Sequence, residues 1–258
     1  MSQEASSSRV TLEMTPTHFP NNGAPRPMFE GTRIAASRNQ FTQSQPIIHN
    51  TIQNNIGNDP FELLYSHVPH PGTPPGCHPN TRETFLQALH ATVAQAEGSH
   101  QSTLVWIAGE AGVGKSAVMK SFSEQLGSAG KAIGHCFLSK LNPSLNTLES
   151  LVPMLAFQLI LAIPETRFGV LSIISRCPWV FDMSLEVQLK TLFVAPLQYL
   201  PQTDLGPRKQ FMVLVDGLDE CLDKNEQVKF IRLLETMRSQ NLPVTFVISS
   251  RPEPHIIR

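Results

Sequence analysis

The stretch TLVWIAGEAGVGKS (residues 103–116) decides how the rest of the chain is interpreted. Its first half, TLVWIA, is apolar and has the length of a buried strand. Its second half, GEAGVGKS, fits the pattern G-x-x-x-x-G-K-[ST], in which a glycine-rich turn between a strand and a helix binds phosphate. Glycine permits a tight curl that points many backbone N–H groups into one cavity, and the next helix offers its N-terminus to the anion.

This glycine-rich loop, a Walker A motif, is predicted to bind a nucleoside triphosphate with Mg²⁺. Lys115 would reach the β- and γ-phosphates, and the hydroxyl of Ser116 would hold the metal. An ordinary glycine-rich turn is the alternative. No guanine selector of the N-K-x-D kind follows the later acidic strand, which favours ATP over GTP. The predicted phosphate-binding residues of the loop are Gly109, Glu110, Ala111, Gly112, Val113, Gly114, Lys115 and Ser116.

A second apolar run, FMVLVD (Phe211–Asp216), ends in an aspartate and is predicted to be a Walker B strand. An aspartate in that place can hold Mg²⁺, usually through water, so Asp216 is the second predicted metal residue. Asp219 and Glu220 follow, and one of them could polarise the water that attacks the γ-phosphate. A solvated acidic turn is the alternative interpretation.

A third motif, VISSRPEP, ends another apolar strand in polar residues. Polar groups at the carboxyl end of a parallel strand face the ligand crevice. Ser250 is predicted to bond the attacking water or the γ-phosphate. Arg251 is predicted to sense the charge of the γ-phosphate through charge-assisted hydrogen bonds. The alternative is a surface arginine at a strand end.

The order of these segments predicts a three-layer α/β fold of the P-loop NTPase kind. Strands alternate with amphipathic helices, and the strands are apolar throughout, which indicates a mostly parallel sheet covered on both faces. Residues 1–75 are rich in Ser, Thr, Asn, Gln and Pro, and are predicted to be a segment of low order ending in a linker. Residues 76–258 are predicted to form the NTPase domain.

Composition excludes several classes of protein. The 258-residue chain has a formal net charge of −1, so it is not expected to bind nucleic acid by electrostatics alone. Its four cysteines form no C-x-x-C pair and are expected to be reduced thiols of a cytoplasmic protein, not zinc ligands. The longest apolar stretch, residues 151–163, is too short to span a bilayer.

Together, GEAGVGKS, FMVLVDGLDE and VTFVISSRPEP resemble the NACHT domain of STAND-class signal-transduction ATPases. The acidic cluster DGLDE (residues 216–220) is the most specific part, and the likeness is greatest to fungal NACHT and nephrocystin-type P-loop proteins. The resemblance implies a signalling switch that binds ATP or GTP with Mg²⁺, hydrolyses it slowly and oligomerises. Its expected partners are further copies of itself or full-length NACHT relatives.

One departure from that family leads to a further expectation. In the family, the strand that carries the phosphate loop lies between the third-motif strand and a strand that comes later in sequence. No such later strand follows residue 251, so the chain resembles a C-terminally truncated member. The strand TLVWIA would then be an open sheet edge, which invites pairing with another chain.

Two other functions are weighed against the switch. A P-loop kinase would pass phosphate to an acceptor other than water, and usually carries an arginine-rich lid that this sequence lacks. A non-catalytic interaction fragment would bind full-length relatives through the open edge. Loss of ATP binding with unchanged partner binding in Lys115→Ala would favour the fragment.

Overall fold

The computed structural model describes residues 9–16, 59–69, 72, 74–98, 103–199, 211–238, 242 and 244–257. Over these residues, helices pack on both faces of a five-stranded sheet in which every neighbouring pair of strands is parallel. The predicted α/β class with a parallel sheet is confirmed. The strands are β1 (Arg9–Met14), β2 (Thr103–Gly109), β3 (Ala132–Phe137), β4 (Phe211–Asp216) and β5 (Val244–Ser250), in the sheet order β1-β2-β5-β4-β3.

The helices connect these strands and cover them. Between β3 and β4 the chain forms a group of helices that includes a π-helical turn at Leu189–Val194 and two short 3₁₀ turns, Pro164–Thr166 and Pro178–Asp182. The α-helices are α1 (Pro60–Ser66), α2 (Glu83–Gly98), α3 (Lys115–Ser128), α4 (Leu151–Ala162), α5 (Arg167–Arg176), α6 (Leu185–Gln188), α7 (Ala195–Gln198), α8 (Lys224–Arg238) and α9 (Pro254–Ile257).

The sheet separates two hydrophobic clusters. Helices α2 and α3 pack on one face, where Leu89, Phe122 and Ile107 are fully buried. The helices between β3 and β4, together with α8, pack on the other face and bury the larger cluster. Every residue of β2, β4 and β5 is therefore buried, which explains why these strands are apolar without alternation.

Strand β1 overturns the expectation of an open edge. It comes from the segment predicted to have low order, and it pairs with β2 along its whole length, from Arg9 opposite Leu104 to Met14 opposite Gly109. In the sequence RVTLEM, apolar and polar residues alternate, as they do in a strand with one covered face. The expectation was wrong because strand pairing is set by tertiary contacts, and the partner of β1 lies far away along the chain.

The rest of the low-order prediction falls mostly outside the described residues, which omit 1–8 and 17–58. Within 59–69, Asp59 caps a helix that begins at Pro60, and its carboxylate accepts a hydrogen bond from the Phe61 N–H. The boundary near residue 76 stays a prediction.

Among the described residues, no single helix is both long and apolar enough to cross a bilayer. Helix α4 and the segment Pro164–Arg176 meet that criterion only jointly, across a bend of 119°. The apolar residues of α4 are mostly buried in the core. All four cysteines are free thiols.

Candidate phosphate-binding site

The glycine-rich loop joins the end of β2 to the start of α3, as the motif requires. Gly112 and Gly114 have φ values of 79° and 91°, a left-handed conformation that side chains rarely adopt. A Cβ atom built on either glycine would meet nothing within 4 Å. The loop thus combines a backbone that needs glycine with free space beside it. The N-terminus of α3, a 14-residue helix, opens onto the same loop.

Lys115 begins α3 and folds back over its own loop. Its ammonium donates hydrogen bonds to the carbonyl oxygens of Gly109 at 2.8 Å and Glu110 at 3.0 Å. Burial lowers the pKa of Lys115, and the negative charges of Asp219 and Asp216 oppose that change. The lysine of the loop and the two aspartates therefore share one electrostatic neighbourhood.

Asp216 ends β4 and lies opposite the loop, almost completely buried. The hydroxyl of Ser249, from β5, donates a hydrogen bond to its Oδ1 and accepts one from the Gly217 N–H at 3.1 Å. Burial raises the pKa of Asp216, and hydrogen bonds from Ser116 and Ser249 counteract the shift. The fold has thus brought together both predicted metal residues, Ser116 and Asp216.

Asp219 and Arg251 form an ion pair beside this carboxylate. The Arg251 Nε lies 3.1 Å from Asp219 Oδ2, and the Arg251 backbone N–H donates to Oδ1 at 3.1 Å. Asp219 is buried, whereas the Arg251 side chain is 40% exposed. Both carboxylate oxygens of Asp219 are therefore engaged by the residue predicted to sense phosphate.

Glu220, the next residue after Asp219, contacts the segment that follows β3. Its Oε2 accepts a hydrogen bond from the Lys140 backbone N–H at 2.9 Å. A Cβ on Gly217, whose φ is 74°, would lie 3.2 Å from Glu220 Cγ and 3.2 Å from the Leu138 carbonyl oxygen. Glycine is needed here because both the conformation and the close packing exclude a side chain.

The structure places Ser250 differently from the prediction. Its hydroxyl is buried, accepts a hydrogen bond from Trp106 Nε1 at 2.8 Å and donates one to the Arg251 carbonyl at 2.9 Å. Successive side chains of a strand point to opposite faces, so Ser249 and Ser250 cannot both face Asp216. Of these two adjacent serines, Ser249 is the one that contacts Asp216, and it was not among the predicted site residues.

The oxygen ligands gathered here suit Mg²⁺ better than a transition metal. In the part of the chain that the structure describes, no group of three or more His, Cys, Asp or Glu side chains could hold a metal ion. Mg²⁺ is usually bound by one or two carboxylates together with substrate phosphates and waters, and does not need a cage of protein ligands. A buried carboxylate beside a serine hydroxyl fits that requirement.

A parallel sheet, a glycine-rich loop after β2 and an acidic residue at the end of β4 define an α/β protein of the P-loop NTPase kind. The family model described as "Nephrocystin 3, N-terminal" matches residues 80–251, which is more than half of the chain. The chain therefore belongs to this family.

No curated protein matches the chain. Among solved structures, one of Drosophila ORC bound to poly(dA/dT) DNA and Cdc6 is similar, with 15% sequence identity and a TM-score of 0.37. One of Drosophila ORC bound to GC-rich DNA and Cdc6 has 13% identity and a TM-score of 0.36. Each match covers 90% of this chain and 33% of the other.

Proposed function

We propose that the chain binds ATP, or GTP, with Mg²⁺ in the crevice above the carboxyl ends of β2, β4 and β5. The observation that carries this proposal is the convergence of three separate segments. The phosphate loop follows β2, Asp216 ends β4, and Ser249 reaches Asp216 from β5. Crevices at the carboxyl ends of parallel strands are where such folds bind ligands.

The loop would bind the phosphates through its backbone N–H groups, from Glu110 to Ser116. Lys115 would exchange its bonds with two neutral carbonyl oxygens for bonds with charged phosphate oxygens, which are stronger acceptors. Ser116 and Asp216 would hold Mg²⁺, whose positive charge would offset the negative charge of the phosphates.

We assign the two acidic candidates to different tasks. Asp219 would hold Arg251 in place, since both of its oxygens contact that residue. Glu220 would orient the attacking water, because one of its oxygens is held by the Lys140 N–H while the side chain stays partly exposed. Arg251 would stabilise charge on the γ-phosphate.

At the level of the cell, we propose a slowly hydrolysing signalling switch, as in the NACHT domains of STAND-class ATPases, fungal members included. The support is the DGLDE cluster next to a phosphate loop. Four free cysteines favour a cytoplasmic location. Further copies of the chain, or full-length NACHT relatives, are the proposed partners. The fragment alternative loses its main argument, because β1 covers the edge through which a fragment was expected to bind.

A single-turnover assay with γ-labelled ATP tests the enzymatic proposal. The full chain in excess over ATP and supplied with Mg²⁺ should release labelled inorganic phosphate slowly. Lys115→Ala should release none, and Lys229→Ala, an exposed lysine on α8, should behave as the unaltered chain does. Label transferred to an added acceptor would favour a kinase. ATP bound but never cleaved would favour a binding module.

A further inference from the structure

The N-terminal strand β1 is packed directly against the phosphate loop. Its last residue, Met14, pairs with Gly109, the first glycine of the loop. A Cβ on Gly109 would lie 3.0 Å from the Met14 carbonyl oxygen, 3.1 Å from the Met14 Cβ and 2.9 Å from Val113 Cγ2. No room remains between the strand and the start of the loop. A shift of either one therefore displaces the other.

Arg82 bridges the same two elements through hydrogen bonds. One terminal nitrogen, Nη1, donates to the carbonyl of Thr15 just after β1 at 3.1 Å, and the other, Nη2, donates to the carbonyl of Val113 in the loop at 2.7 Å. A guanidinium can make both bonds at once because its donors form a rigid planar fork. Arg82 therefore joins the end of β1 to the middle of the loop.

The backbone of Arg82 carries strain that fits a fixed position for this side chain. Its φ is 59°, in the left-handed region, which is unfavourable for a non-glycine residue and persists only where the surroundings enforce it. Helix α2 starts at the next residue, and its Leu86 N–H donates to the Arg82 carbonyl at 2.9 Å. The start of α2 thus aims the guanidinium between the strand and the loop.

The opposite end of β1 is held by a second arginine. Arg9 donates from Nη2 to the Ile256 carbonyl at 3.1 Å, and its guanidinium lies over the Trp106 ring, 4.7 Å from the centroid. Between these two ends, β1 pairs with β2 and lies at the edge of the sheet formed by the described residues. Edge strands with partly exposed ladders open at lower free energy than central strands.

We propose that docking of β1 and binding of phosphate to the loop are energetically coupled, with Arg82 as the positioning residue. The loop conformation that binds phosphate is the one in which the Val113 carbonyl is held by Arg82 and β1 is in place. By reciprocity, a bound nucleotide stabilises β1 to the extent that docked β1 strengthens nucleotide binding. This inference rests on the proposed nucleotide binding.

Hydrogen exchange of the full chain, with and without a non-hydrolysable ATP analogue and Mg²⁺, tests the coupling. The analogue should slow exchange of the β1 amides about tenfold or more in the unaltered chain. Arg82→Ala should abolish that protection and weaken analogue binding about tenfold, since hydrogen bonds to a charged group are lost. Arg232→Ala removes an exposed arginine of α8 and should change neither readout.

Two further variants distinguish the coupling from misfolding of Arg82→Ala and from a simple effect of charge. Leu12→Asp weakens the docking of β1 two residues away from Met14, and should also weaken analogue binding while leaving the loop sequence intact. Arg82→Lys keeps the charge but loses the fork, so it should restore binding only in part.

The outcomes separate the inference from the proposed function. If the analogue binds but β1 exchange is unchanged, or if Leu12→Asp binds the analogue as tightly as the unaltered chain, the coupling is overturned and nucleotide binding stands. If Arg82→Lys restores binding fully, Arg82 is not the positioning residue. If the folded chain binds no nucleotide, both fail.

Discussion

The crevice has a loop side and an acidic side, and the two are held together in different ways. On the loop side, Lys115 donates hydrogen bonds to two carbonyls of its own loop, and the space beside Gly112 and Gly114 is open. On the acidic side, Asp216 and Asp219 are bonded by residues at the end of β5, a separate strand. The acidic side is therefore preorganised, whereas the loop side would have to exchange its contacts in the proposed phosphate complex.

Removing the lysine should break the loop side most severely. We expect Lys115→Ala to raise the Kd for ATP about 100-fold, because one or more charge-assisted hydrogen bonds worth about 1.5–3 kcal/mol each are lost. Equilibrium dialysis with labelled ATP measures this, and Lys229→Ala is the matched control. Equal affinity in both variants would mean that the loop does not bind phosphate.

Substitutions at Glu220 and Asp219 can separate the roles proposed for these two carboxylates. Glu220→Gln should slow single-turnover hydrolysis about 100-fold with little change in ATP affinity, the usual size of effect when a general base is removed. Asp219→Asn should instead disturb Arg251 and weaken ATP binding. If Asp219→Asn alone stops hydrolysis without affecting affinity, the roles of these two residues are reversed.

Asp216→Asn should have opposite effects on binding and on stability. The factor by which Mg²⁺ strengthens ATP binding should fall about tenfold, because the carboxylate proposed to hold the metal is replaced by a weaker neutral ligand. The metal-free protein should melt a few degrees higher, because a buried carboxylate whose pKa is raised by burial is removed.

Calorimetry with and without Mg²⁺, together with thermal melting, measures both effects. The exposed Asp182→Asn is the control and should change neither quantity. A lower melting temperature for Asp216→Asn would show that the carboxylate stabilises the fold without metal.

The two adjacent serines give the smallest and most discriminating test. Ser249→Ala should weaken the Mg²⁺ dependence of ATP binding about 2- to 10-fold, the worth of one net hydrogen bond. Ser250→Ala should leave that dependence unchanged and lower the melting temperature, because Trp106 Nε1 loses its acceptor in the core. The reverse pattern would restore Ser250 as the residue facing the nucleotide.

The same contrast explains how far sequence reasoning reaches. The loop, the apolar strands and the order of helices follow from local patterns, and the structure agrees with them. Strand alternation shows that Ser249 and Ser250 face opposite ways. Which of the two faces Asp216 is set by packing of the other against Trp106, which lies on a neighbouring strand. The pairing of Asp219 with Arg251 and that of β1 with β2 depend on tertiary contacts in the same manner. For β1 a local signal existed, the alternation in RVTLEM, but it lies in a polar segment.

Isothermal titration of the full chain with ATP, in excess Mg²⁺ and then in EDTA, tests the central claim most directly. We predict binding of one ATP per chain that is tighter with Mg²⁺ than without it. A folded protein that takes up no nucleotide at millimolar ATP under either condition would contradict the account.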